Sequence, residues 1–156
     1  MWEKVLYLSK VIIMLRKIIK LLLILIWMVV IFLFSNDSGE ASKKKSDHVI
    51  MDIYQVFNDT ELTEKEKEQL IETVVYPTRK IAHFSEYFLL GLLVLSFLSE
   101  FGIVTRKSIL IAIIICCLYA VSDEFHQMFS DGRTPKVFDV AIDTLGATTG
   151  IFLYSL

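Results

Sequence analysis

Two cysteines are the whole thiol content of this chain, and they stand side by side as Cys116 and Cys117. Neighbouring side chains on a helix diverge, so the pair cannot close on itself. In the middle of an apolar stretch it reads as two small hydrophobes rather than a redox couple. Glycine and proline are also sparse, at six and two residues, and no Gly-rich phosphate loop is present. The chain has no internal repeat, no low-complexity tract, and no HExxH or thiolate pattern that would fix zinc ligands in a familiar geometry. No metal, no cofactor and no nucleic-acid partner is expected.

Apolar residues dominate instead, at 54% of the 156 residues with a mean hydropathy of +0.58, and they come in blocks. Ile18 to Phe34 is broken only by Lys20, Ile81 to Phe101 carries its charges at its ends, Ser108 to Val121 is almost wholly apolar, and Val137 to Leu156 has only Asp139 and Asp143. A helix of about 20 residues crosses the roughly 30 Å hydrocarbon core. The expected fold is therefore all-α, a single polytopic membrane domain over residues 1–156. Its four transmembrane helices fall near 18–35, 80–101, 107–126 and 137–156. The first block follows Lys4, Lys10, Arg16 and Lys17 as a signal peptide would, but it outlasts an h-region of about 7 to 15 residues and offers no small-x-small cleavage site. It reads as a retained anchor.

Basic flanks tend to stay cytoplasmic, and the leading segment holds Lys4, Lys10, Arg16, Lys17 and Lys20 against Glu3 alone. Both termini are then cytoplasmic, and residues 36–79 form an outer loop. Lys43, Lys44 and Lys45 in that loop pull the other way. Within the loop, Val49, Ile50, Ile53, Tyr54 and Phe57 recur at helical spacing, and Thr63 with Glu66 makes a capping box before Leu70, Ile71, Val74 and Val75. Two short amphipathic helices follow, and Pro77 ends the second and leads into the next membrane helix.

Nearly every charge at membrane depth falls at the same end of its block. His83 and Glu86 open one, Asp123, Glu124 and His126 close the next, and Asp139 and Asp143 open the last. Ionisable groups are costly in hydrocarbon, so such positions are paired, wet or functional. Helical spacing puts Arg79, His83, Glu86 and Leu90 on one face, with Lys80 and Tyr87 on a neighbouring stripe as interfacial anchors. Asp123, His126 and Gln127 are i, i+3 and i+4 neighbours. Asp139, Asp143, Gly146 and Gly150 share a face whose small-xxx-small pattern admits another helix and turns the acids toward protein. Between these helices, Phe129 to Pro135 is turn chemistry. Arg133 at its tip can take a phosphate bidentately or neutralise nearby carboxylates. The expected ligand-binding set is Arg79, His83, Glu86, Asp123, Glu124, His126, Gln127, Arg133, Asp139 and Asp143, converging in one outward-opening pocket.

At these residues the chain resembles the VanZ-like family of small integral membrane proteins. The segments that carry the likeness are Phe34 to Ser42 after the first helix, Arg79 to Gly91 opening the second and Tyr119 to Gln127 closing the third. Gly132-Arg133 follows, with Asp139, Asp143, Gly146 and Gly150. Ser130-Asp131 precedes Gly132-Arg133 where a Pro-Gly-Arg type of turn would be expected. The resemblance implies a multi-pass protein of the bacterial cytoplasmic membrane, in a family associated with low-level glycopeptide resistance, teicoplanin in particular.

Three functions stay open. The preferred one is binding of an envelope lipid headgroup, such as that of a cell-wall precursor lipid, or of the antibiotic itself. The second is a membrane-embedded hydrolase or transferase acting on a lipid-linked substrate, with His83, Glu86, Asp123, Glu124 and His126 as acid and base candidates. Its nearest nucleophiles, Ser85 and Ser122, lack an evident supporting base. The third is a structural charge network without ligand. Half-satisfied buried networks are costly, which counts against it.

Overall fold

The computed structural model describes residues 2–36, 49, 52–54, 63–70, 73–74, 76–102, 104–127 and 137–156. The main helices are α1 (Trp2–Asn36), α2 (Glu64–Leu70), α3 (Tyr76–Leu98), α4 (Arg106–Gln127) and α5 (Val137–Ser155), and no strand occurs among the described residues. All but α2 are long and apolar enough to cross a membrane. The chain is a multi-pass membrane protein.

Local chemistry accounts for the boundaries. From Trp2 to Asn36 no proline or glycine interrupts α1, so it begins well before the expected apolar block and runs for 35 residues, or about 52 Å at helical rise. Pro77 sits in the first turn of α3, where its missing N–H costs nothing. At the far end α3 tightens into a 3-10 turn, Ser99–Phe101, closed by Gly102 at φ 151°, a backbone region that favours glycine. Thr105 and Ser108 cap α4 reciprocally: the Ser108 amide donates to the Thr105 hydroxyl at 3.2 Å, and the Thr105 amide donates to the Ser108 hydroxyl at 2.8 Å. The capping box of α2 forms as expected, with the Thr63 amide donating to the Glu66 carboxylate at 2.9 Å. Residues 49 and 52–54 are helical, whereas Ile50 and Phe57 lie outside the described residues.

Close backbone approach makes α3 and α5 the most intimate pair. A Cβ added at Gly91 would collide with the Ala147 carbonyl, one at Gly146 with the Phe84 carbonyl, and one at Gly150 with the Phe88 carbonyl. Small residues are what permit such contact between membrane helices, where no hydrophobic driving force separates protein from lipid. The core below is apolar, built from Ile24 and Ile31 of α1, Leu90, Val94 and Leu95 of α3, Ala112 and Cys116 of α4, and Ile151 of α5. Large apolar side chains such as Leu22, Leu25, Ile114 and Phe152 cover the outside, as a lipid-facing surface requires.

Candidate functional site

One end of the bundle is polar through contributions from all four long helices. On α3, His83 Nδ1 lies 3.6 Å from Asp143 Oδ1 of α5, with the Asp143 side chain only 4% exposed and that of His83 26% exposed. One turn earlier on each helix, Lys80 pairs with Asp139. From α4, Gln127 Nε2 donates to Ser35 Oγ of α1 at 2.6 Å and to Asp123 Oδ2 at 3.2 Å. Glu86 lies within electrostatic reach of His83, which attracts it, and of Asp143 and Asp123, which repel it, so it stands between the two halves. Its backbone carbonyl accepts the Trp27 indole N–H of α1 at 2.9 Å.

Sequence reasoning missed two members. Ser35 belongs to the segment that follows the first apolar block but carries no charge to draw notice. Tyr87, expected as an interfacial anchor, is instead fully buried, and its hydroxyl lies within electrostatic reach of Asp123, Asp143 and Glu86. The cause is packing: the glycine contacts draw α3 against α5, and Tyr87, Leu90 and Val94 follow His83 at i+4, i+7 and i+11 on the face drawn inward. That spacing was the available signal.

Other predicted members lie on the same helices. The His126 ring packs on Phe32 of α1, centroids 4.6 Å apart. Glu124 is buried on α4, and Arg79 is half-buried on α3. Arg133 and the turn around it lie outside the described residues. Ser85 and Ser122 are exposed, and each hydroxyl donates to its own helix backbone, to the carbonyls of Ile81 and Tyr119 respectively. Neither is placed as a nucleophile beside the histidines. Cys116 is buried and Cys117 half-buried, both as free thiols.

Polar satisfaction within the cluster is incomplete. Among the described residues, Tyr87 Oη, Asp123 Oδ1, Asp143 Oδ1, Thr144 Oγ1, and the Nδ1 atoms of His83 and His126 are buried without a hydrogen-bond partner. Such groups forfeit hydration without recompense, at about 1–3 kcal/mol each. They gather at one end of the bundle.

The opposite end is built differently. Lys20 of α1 donates to the Ser96 carbonyl at 2.9 Å and also pairs with Glu100, which Arg16 reaches at 2.9 Å. Lys17 lies 4.0 Å from the centroid of the Phe101 ring. The apolar core separates this basic end from the acidic one.

Four apolar spans with a half-satisfied carboxylate and imidazole cluster at one end define a polytopic membrane protein. The sequence profile of the VanZ/LLP1 family matches residues 20–156, and the chain belongs to that family. The family is associated with glycopeptide, notably teicoplanin, resistance. No curated protein and no solved structure matches the chain.

Proposed function

We propose that the polar end opens to the extracytoplasmic face and binds the headgroup of an envelope lipid or a glycopeptide antibiotic, and that this binding contributes to teicoplanin tolerance. The observation that carries the reading is the set of buried, unpartnered polar atoms on side chains from three of the long helices, because a ligand that satisfied them would recover their lost hydration. Arg79, Glu124, His126, Gln127 and Arg133 flank that core in sequence and complete the binding set. Orientation follows from the basic end: Lys4, Lys10, Arg16, Lys17 and Lys20 with Arg106 and Lys107 favour the cytoplasm, which holds both termini there in the bacterial cytoplasmic membrane.

Two measurements test this together. A reporter fused after Leu156 should behave as cytoplasmic and one inserted near Asn58 as extracytoplasmic. Asp143→Asn and His126→Ala should each remove any teicoplanin tolerance the intact protein confers while membrane abundance stays near normal. Variants that accumulate and protect like the parent would rule the pocket out.

The His83–Asp143 pair supports a second reading, acid–base catalysis on a lipid-linked substrate, since an imidazole and a carboxyl group 3.6 Å apart offer an acid and a base side by side. Turnover of such a substrate by the purified protein, lost in His83→Gln, would favour it.

A further inference from the structure

The cluster has a charge imbalance that narrows what it can hold. Among the described residues the carboxyl groups of Glu86, Asp123 and Asp143 are set against the His83 imidazole, the neighbouring Lys80 is engaged by Asp139, and Arg79, one turn before His83, with Glu124, beside Asp123, adds one charge of each sign. The oxygens at its base without a hydrogen bond are Asp123 Oδ1, Asp143 Oδ1, which His83 Nδ1 approaches only to 3.6 Å, and the hydroxyl of Tyr87, a residue with no exposed surface. All of them accept hydrogen bonds.

A phosphate would bring further negative charge and further acceptors to that base, so like would face like. A bound metal ion needs its oxygens about 2.0–2.6 Å from one point. Among the described residues no three His, Cys, Asp or Glu groups converge that tightly. An ammonium group asks for a wider shell, about 2.7–2.9 Å from nitrogen to carboxylate oxygen, and brings three donors with its positive charge. Donor count and charge both match.

We infer that the cluster binds the ammonium of an amine-bearing headgroup. Asp123, Asp143 and the Tyr87 hydroxyl accept from it at the base, and Glu86 with His83, both partly exposed, form the rim through which it enters. The inference rests on the ligand-binding reading above and names the group recognised. A lipid headgroup and a free amine in solution share this chemistry.

The test uses the full chain in nanodiscs containing equal phosphatidylethanolamine and phosphatidylglycerol, with retained lipid counted by native mass spectrometry. Phosphatidylethanolamine should be retained over phosphatidylglycerol by about tenfold, the scale of one charge-assisted hydrogen bond. Asp143→Asn should erase the preference. Tyr87→Phe removes only an unpartnered oxygen, so it should fold like the parent and still weaken the preference several-fold; it carries the test if Asp143→Asn fails to accumulate. Lys4→Ala, at the far end, should change nothing. Displacement of phosphatidylethanolamine by added ethanolamine would show that the ammonium alone suffices, and a preference that ethanolamine cannot compete away would place the source in the lipid. Equal retention of the two lipids overturns the inference, as does a preference that survives Tyr87→Phe. Teicoplanin tolerance that depends on the cluster without any headgroup preference would refute this inference alone. A headgroup preference without tolerance would refute the antibiotic reading alone.

Discussion

Gly150 of α5 lies so close under Phe88 of α3 that a side-chain carbon at position 150 would occupy the place of the Phe88 carbonyl. The obstacle is backbone, which cannot rotate away as a flexible side chain could. Gly150→Ala should therefore separate the helices and destabilise the fold by about 1–3 kcal/mol, the range for overpacking. Thermal unfolding in detergent would show the loss, and a transition unchanged from the parent would mean that the interface has slack.

At the basic end, Glu100 gathers both Lys20 and Arg16. Glu100→Gln leaves the Lys20 ammonium at membrane depth without its carboxylate, so membrane abundance and unfolding temperature should fall. Adding Lys20→Met to that variant removes the stranded charge, and the double variant should recover most of the loss. Additive losses would argue that the two residues act independently.

Two tyrosines, Tyr87 buried and Tyr119 half-buried, make a comparison. Tyr119 donates to the Met28 carbonyl at 2.6 Å, whereas the Tyr87 hydroxyl has no partner among the described residues. Tyr119→Phe should cost about 0.5–1.5 kcal/mol, and Tyr87→Phe should be neutral or stabilising in protein stripped of ligand. Chemical unfolding in mild detergent reads both, and equal costs would contradict the contrast.

Outside the membrane, the Thr63 hydroxyl, at 2.7 Å, and the Thr63 amide hold the Glu66 carboxyl below its ordinary value. Because the folded helix binds that proton less readily than the unfolded segment, the cap's support is complete above about pH 4.3 and fades as pH falls through the lower native value. Hydrogen exchange in α2, corrected for intrinsic rates, should lose protection in acid. Glu66→Gln should abolish that pH dependence.

Much of the architecture was legible in the sequence because lipid imposes a coarse rule: long apolar runs become spans, and Lys20, Glu100 and Asp139 mark where they meet protein or water. The ends of α3, α4 and α5 fell within a few residues of expectation, since Pro77, Gly102, Thr105 and the polar run after Val121 signal them locally. The start of α1 did not, because the basic residues that suggest a tail are also good helix formers. In the cluster, charge revealed Glu86, Asp123 and Asp143, and glycine spacing revealed which face of α5 turns inward. Charge could not show that His126 packs on Phe32 or that neutral Ser35 and Tyr87 belong with the acids, because those facts depend on how helices distant in sequence are set against one another.

The hydrogen bond from the Trp27 indole to the Glu86 carbonyl has a spectroscopic consequence. The other tryptophan, Trp2, sits exposed at the start of α1. A Trp2→Phe protein would thus carry a single tryptophan, bonded to the backbone of a residue in the polar cluster. Indole emission responds to hydrogen bonding and local field, so a ligand that reached Glu86 would shift the Trp27 emission in unlabelled protein.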